Sequence, residues 1–468
     1  MKMKKILNPL VILALISACT MAPKYKQPEV EVPFAAPTSA GKQKISTISW
    51  KQYFQSPDLQ RVIQLALDNN RDLRVANLNI EVAQGTHGVA RSNLMPTISA
   101  VGSETRQGVP SAFAGFTPKR QFGANLTLTS YEVDFFGRLQ SLKKSALEDF
   151  LASEETRNVT KITVIAETVN AYAQLLLDSK ILKIAEENLK AQSDRFNFTE
   201  LRYKNGIDSQ VDLLAASASI ETAKTTFETY KKLVAQDKNA LMVLTGTFDE
   251  KALPQDTELN DIRINEELLD LVPSESLLLR PDVQQAEHSL KSANANIGAA
   301  RAAFFPSITL TGTYGYRSRE LDGLFDSKTW TFTPQINLPI FSGGRNMANL
   351  SIANARKKVQ IAQYEKAIQT AFREALDQFA EKEAISNQLK SYDTILSARE
   401  KSNLISEAKH KVGISSALNV LDAQIAFLTA KQNQASAKKE YITNLVNLYK
   451  VLGGGAELEE VVVEDKKK

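Results

Sequence analysis

One stretch occurs twice in this chain, and that duplication constrains the fold more than any other feature. The first copy reads Gly88-Val89-Ala90-Arg91, then Leu94-Met95-Pro96-Thr97-Ile98, up to Gly102. The second reads Gly298-Ala299-Ala300-Arg301, then Phe304-Phe305-Pro306-Ser307-Ile308, up to Gly312. Gly, Ala, Arg, Pro, Ile and Gly recur at matching positions, 210 residues apart (298 − 88). In both copies a helical pattern runs into a proline, and a two-residue alternation begins beyond it. Proline drives the preceding residue out of the helical region. Each copy therefore marks the point where a long helix becomes a strand.

The strand after Pro306 is the clearest. Ile308, Leu310, Gly312, Tyr314 and Tyr316 share one face, and Ser307, Thr309, Thr311 and Thr313 the other. Trp330, Phe332, Pro334, Ile336, Leu338 and Ile340 alternate in the same way with Thr331, Thr333, Gln335 and Asn337. In the first half Phe122, Ala124, Leu126 and Leu128 alternate with Asn125, Thr127 and Thr129; the strand after Pro96 is weaker. About ten alternating residues with aromatics at the ends suit a transmembrane strand, with one face in lipid and one in a wet lumen. A soluble sandwich with one solvated face satisfies the same pattern.

The 468 residues could form two or three domains, but the two-fold repeat favours one elongated architecture. Net charge is +4; Lys2, Lys4 and Lys5 precede Cys19, which leaves +1 beyond it, so the balance predicts no nucleic-acid partner. Three His and one Cys provide neither a disulfide framework nor a Cys/His metal site, and no cofactor is expected. The basic start and the apolar run Ile6–Ile16 have the form of a signal peptide, too short to span a bilayer as a helix. Ile16-Ser17-Ala18-Cys19 looks like a bacterial lipobox, in which Cys19 is lipidated, palmitate included, and becomes residue one. An ordinary cleavage site beside an incidental cysteine is the alternative. Pro23, Pro28, Pro33 and Pro37 then rule out regular structure up to about Trp50.

Helical spacing begins at Leu59, Val62, Ile63, Ala66 and Leu67 and predicts one helix on through Leu73, Ala76 and Ile80 towards Arg91. After Asp134-Phe135-Phe136-Gly137-Arg138, Ile162, Ile165, Val169, Tyr172 and Leu176 set the seam of a coiled coil that persists to about Tyr203. Some 65 residues make a helix of about 100 Å. Asn205-Gly206 breaks it, and a helix about half as long follows from Ser209 to Leu244. A less regular link contains Pro254 and Pro273. Then the order repeats: a helix over 277–303, a strand pair to Ile340, Gly343-Gly344, a long helix to Lys411, a break at Gly413, and a helix to Leu452. Gly206-Ile207 and Gly413-Ile414 are equivalent, as are Lys204/Lys411, Ser209/Ser416 and Leu214/Leu421. These lengths describe a helical tube with a β-section at one end and two helix–turn–helix tips at the other. Four strands cannot close a membrane barrel, and an open sheet in lipid leaves edge groups unsatisfied, so membranous strands require several chains.

The run Leu278-Leu279-Arg280-Pro281-Asp282-Val283, Ala286-Glu287, Ile297-Gly298, Ala300 to Ile308 resembles the outer-membrane efflux lipoproteins, the TolC-like channels of resistance–nodulation–division pumps. So do Tyr131 to Arg138, Leu338 to Arg345, and Cys19-Thr20-Met21-Ala22-Pro23-Lys24-Tyr25. The resemblance spans essentially the whole chain beyond the signal segment. It implies a mainly α fold with a membrane β-section. In that arrangement a homotrimer forms a twelve-stranded barrel, four strands per chain, in the outer membrane of a Gram-negative bacterium, above an α-helical periplasmic tunnel. It also implies a periplasmic adaptor (membrane fusion protein) and, through it, an inner-membrane pump. In that frame 1–18 is the signal peptide and 19–56 a lipid-anchored extended segment. Residues 57–250 form the first structural repeat, 251–273 an equatorial linker, 274–452 the second repeat and 453–468 a disordered tail.

The resemblance makes Lys204, Gly206, Ile207, Ser209, Lys411, Gly413, Ile414 and Ser416 the periplasmic tips that meet the adaptor. Turn geometry alone also calls for the two glycines. Asp422 resembles the family's aperture carboxylate; it shares a polar stripe with Ser415, Asn419, Ala426 and Thr429, beside an apolar stripe of Leu418, Leu421, Ile425 and Leu428. Leu418, Asp208 and Asp212 are further aperture candidates, and a solvated outer face is the alternative for Asp422. Ile425 stands where some members carry arginine, which counts against a salt bridge from that position. No phosphate loop, metal motif or nucleophile–base pair is evident, so energy for transport must come from a partner. A type I protein-secretion channel shares the fold, though its members typically lack the lipobox. A structural coiled-coil lipoprotein would have no use for four alternating strands. The cargo is not legible.

Overall fold

The computed structural model describes residues 20–29, 48–108, 120–249, 253–254, 257–271 and 274–455. The expected signal segment, Cys19 and the tail from residue 456 lie outside them. In chain order the elements are α1 (Trp50–Tyr53), α2 (Pro57–Asn69), α3 (Arg71–Ser92), β1 (Ile98–Arg106), β2 (Arg120–Val133), α4 (Arg138–Lys204), α5 (Gln210–Thr245), α6 (Pro281–Ala302), β3 (Ser307–Ser318), β4 (Lys328–Asn337), α7 (Arg345–Lys411) and α8 (Ala417–Val451). Short 3₁₀ turns at Leu259–Asp261, Glu266–Leu271 and Ser274–Leu279 fill the link between the halves. The long helices α4 and α7 each have 67 residues, about 100 Å at 1.5 Å per residue. Among the described residues no helix is long and apolar enough to cross a membrane.

The chain divides into two compact units. One holds residues 1–30, 78–154 and 285–366. Its centre is a four-stranded antiparallel sheet in the order β1-β2-β3-β4, so β1 and β4 are edges. Residues opposite one another across the ladders share a face. Ile98, Leu126, Leu128, Leu310, Tyr314, Trp330 and Ile336 fall on one face; Thr127, Thr309, Thr313, Thr331 and Gln335 fall on the other. The β2–β3 register shifts by one residue between Leu128 and Tyr131, at Ser130, whose φ of 43° is that of a bulge. Where β2 turns into α4, Glu132 forms a two-pronged ion pair with Arg138, and Asp134 accepts from the Gln140 N–H at 2.8 Å. Phe136 of the first half stacks on Phe305 of the second, 4.8 Å between centroids.

The proline-rich segment 20–29 runs as a strap along α6 in this unit. Thr20 Oγ1 lies 2.9 Å from Ser141 Oγ; Asn294 Nδ2 donates to Pro23 O at 2.8 Å; Tyr25 OH donates to Glu287 at 3.1 Å; Gln27 donates to Tyr364 OH at 2.7 Å. Gly298 makes the contact possible, because a Cβ there would stand 2.8 Å from that of Ala22. Burial and the Glu287 carboxylate push the Tyr25 phenol up.

The other unit holds residues 31–77, 155–284 and 367–468. The predicted seam of α4, Ile162, Ile165, Val169, Tyr172 and Leu176, is buried throughout. Tyr53, Phe54 and Tyr449 form an aromatic cluster, and the Tyr53 hydroxyl donates to Leu445 O at 2.9 Å. Arg280 is 7 % exposed. Its guanidinium grips Asp282 at 3.0 and 2.8 Å, Glu374 at 2.9 Å and the Val451 carbonyl at 2.7 Å.

Several boundaries differ from the sequence reading. The strand pair expected to reach Ile340 stops at Asn337, and the helix expected from residue 277 starts at Pro281 after a 3₁₀ turn. Three further differences have a visible cause. The helix expected to run from Leu59 to Arg91 is two helices, because Asn70 leaves helical geometry (ψ 133°) and its side chain takes over the backbone bonding. Its Oδ1 accepts from Asp72 and Leu73, and its Nδ2 donates to Leu244 O. The segment 19–56, expected to be extended, contains α1, started by a capping box between Ser49 and Gln52. Gly453 and Gly454, placed in the disordered tail, are buried, and their N–H groups bond to Lys450 O and Tyr449 O.

Candidate functional site at the helix tips

Both tips belong to the second unit and are built alike. At the end of α4 the Ile207 N–H bonds to Arg202 O and the Gly206 N–H to Tyr203 O, each at 2.9 Å. At the end of α7 Ile414 N–H bonds to Lys409 O and Gly413 N–H to His410 O, again at 2.9 Å. This is the Schellman arrangement, which needs a left-handed residue. Gly206 and Gly413 supply it with φ of 68° and 78°. Three residues later Ser209 and Ser416 cap the next helices, accepting from Asp212 N and Asn419 N. Lys204 and Lys411 sit in the last turns, where cations complement the helix dipole. Lys204 also pairs with Glu200 at 3.0 Å. Ile207, Ile414 and Leu418 stand exposed at the turns.

The polar side chains then diverge. Asp208 receives Arg202 Nε on both oxygens, at 3.0 and 2.9 Å, and this carboxylate holds the guanidinium pKa above its ordinary value. The positions matching Arg202 and Asp208 in the second tip are Lys409 and Ser415, and there His410 Nδ1 lies 2.8 Å from Ser415 O instead. Asp212 completes a capping box: Ser209 donates to it from its hydroxyl at 2.6 Å and its backbone at 3.0 Å. Those bonds lower the Asp212 pKa. Asp422 forms an ion pair with Arg195 of α4, 3.0 Å from Nη1 to Oδ1. On α8 Asn419, Asp422 and Thr429 are exposed, Leu421 and Ile425 half-buried, and Leu428 buried.

The structure thus brings Asp422 together with a residue that the sequence reading missed. Arg195 lies 227 positions away and had no local signal. A second link of the same kind, Lys431 of α8 to Glu187 of α4 at 3.4 Å, lies along the same pair of helices. Asp208 and Asp212 are engaged locally, the first as the partner of Arg202 and the second as a helix cap.

A family model described as "Outer membrane efflux protein" matches residues 62–247 and 272–454, one segment for each half of the repeat. The chain is 40 % identical over 466 residues to a toluene efflux pump outer membrane protein, TtgC, of Pseudomonas putida, covering 97 % of this chain and 96 % of that one. Identity and coverage are the same for the antibiotic efflux pump outer membrane protein ArpC of Pseudomonas putida. Among solved structures, the open state of the Neisseria gonorrhoeae MtrE outer membrane channel superposes with a TM-score of 0.84 at 36 % identity, over 94 % of this chain and 99 % of that chain. The chain belongs to the outer membrane efflux protein family, with the TolC-like fold and the role of an outer-membrane efflux channel.

Proposed function

We propose that three copies join their sheets into a twelve-stranded barrel, and that the trimer is the passive exit duct of a tripartite efflux system. The observation that carries this reading is the sheet itself: one apolar face, one threonine-rich face, and two edges that are unpaired among the described residues. In lipid each open edge group costs several kcal/mol, so the edges must meet partners. The apolar face turns to lipid and the polar face lines the bore. The helices continue the bore into the periplasm, and the tips, with Ile207 and Ile414 exposed, meet an adaptor that links them to an inner-membrane pump, of the resistance–nodulation–division type. The pump supplies the energy and selects the cargo, and the chain itself is no enzyme. Support for a permissive duct comes from two relatives, equally identical to this chain, named for toluene and for antibiotics.

Two finer assignments belong to this reading. Cys19 carries the lipid anchor, immediately before the strap that begins at Thr20. Asp422 stands at the aperture, held by Arg195 across α4 and α8. Light scattering of the detergent-extracted protein should give the mass of three chains. A folded monomer would overturn the duct.

A further inference from the structure

In the first unit the order of the strands sets the order of the helices joined to them. α3 leads into β1, β2 into α4, α6 into β3 and β4 into α7, so α6 stands between α4 and α7. The strap covers one face of α6. Its contacts fall on Glu287, Lys291, Asn294, Gly298 and Arg301, the spacing of a single helical face. A groove of about 810 Å³ lies over Ser289, Ser292, Ala293, Asn296 and Ala299 of the same helix. At about 100° per residue the two sets point in opposite directions. The strap begins one residue after Cys19, the lipid attachment assigned above, so its side of α6 is the outside of the duct. The groove therefore opens into the bore.

The two banks of this groove carry opposite charges. Asp149 comes from α4 and Arg356 from α7, 207 positions apart (356 − 149). The helix starts, Arg138 and Arg345, have the same offset, so each charged residue stands 11 residues into its helix (149 − 138 and 356 − 345). The repeat thus sets an acid and a base at matching heights, about 17 Å along the helices from the sheet end. Both residues are exposed, and neither side chain has a hydrogen-bond or ion-pair partner among the described residues. Packed helix axes lie about 8–10 Å apart, so α6 keeps the two banks from neutralising each other.

Between the charges the lining is mixed. Ile352 and Val359 offer hydrocarbon and are about half exposed. The amides of Asn349 and Gln360 offer donors and acceptors. A molecule with one charge meets attraction at one bank and repulsion at the other, whereas a zwitterion is attracted at both.

We propose that this groove is a resting site for zwitterionic amphiphiles on their way out, with a cationic group beside Asp149, a carboxylate beside Arg356 and an apolar body over Ile352 and Val359. This rests on the duct reading above and on its lipid anchor. A site in a duct must release what it holds, so its dissociation constant belongs near about 1 mM.

The test is current recording from single full-length trimers in planar bilayers, which reads only protein that has folded and inserted. Ciprofloxacin, a zwitterionic quinolone, is added at the barrel side, from which the groove is reached without passing the tips. Nalidixic acid, a quinolone with the carboxylate alone, is the comparison. Ciprofloxacin should interrupt the current for at least about threefold longer per event, and Asp149→Asn or Arg356→Gln should each shorten its dwell about threefold. Lys358→Gln removes a cation that does not line the groove and should leave the dwell unchanged. Asp149→Arg should turn the preference towards nalidixic acid, and adding Arg356→Asp should restore ciprofloxacin by exchanging the banks. Equal dwell for the two quinolones, or a dwell that ignores Asp149 and Arg356, would overturn the groove and leave the duct standing. Protein that inserts no channel would overturn the duct, and the groove with it.

Discussion

Arg280 ties together three parts of the chain: its own turn through Asp282, α7 through Glu374, and the end of α8 through the Val451 carbonyl. Removing one member of a buried ion pair costs about 3–5 kcal/mol, and the value here belongs near the lower end because both carboxylates reach solvent. Arg280→Ala should therefore lower stability by about 3 kcal/mol in thermal or urea unfolding, and Arg280→Lys should recover only part, lacking the planar fork. A change below about 0.5 kcal/mol would show that the network contributes little. The Arg195–Asp422 pair is different, because Asp422 is more than half exposed and such pairs are worth about 0–1 kcal/mol. On the aperture assignment proposed above, its effect belongs to the channel's opening. Asp422→Ala and Arg195→Ala should each raise conductance or vancomycin entry, and the double variant should add little to either. Fully additive effects would show that the two side chains act apart.

Among the elements, the tips were the most legible in the sequence. Each is a local code: a glycine that takes the left-handed position, then a serine that caps three residues ahead. Gly206→Pro or Gly413→Pro removes the N–H that closes the Schellman turn and forces φ to about −65°. Either change should abolish export, read as lost drug tolerance, while the trimer still assembles. Unchanged tolerance would count against the tips as a working part. Legibility fails where one side chain overrides a pattern or a partner lies far along the chain. Asn70 cuts a helix whose apolar periodicity continues past it. Arg195 meets Asp422 across 227 positions, and the strap showed its prolines but not the helix it follows. Asp237 on α5 is another such case. Burial, and the Asp178 carboxyl of α4 beside it, push its pKa up to about 7, with Lys439 of α8 offsetting part. The folded chain then binds this proton more tightly than the unfolded chain, so destabilisation builds as pH rises from about 4 to about 7. Asp237→Asn should raise the thermal midpoint at pH 8 more than at pH 5. An equal change at both would place the titration elsewhere.

For the whole molecule, the repeat made the order of elements legible before any contact was known, because each half spells the same helix, strand pair, long helix and tip. How many copies assemble was not legible, since period-two strands state a need for partners without counting them. Cys19→Ser should abolish incorporation of a lipid label, and a label that persists would remove the anchor assignment. Gly298→Leu should leave labelling intact and free the strap, read as faster proteolysis between residues 20 and 29. Unchanged cleavage would mean that the close approach to Ala22 is dispensable.

The strap also bears on time. Tyr25 and Gln27 are made before Glu287 and Tyr364, which hold them, by 262 and 337 residues. The strap thus lacks these two partners until most of the second half exists. The strap therefore docks in full only late in folding, so that its docking marks a finished subunit.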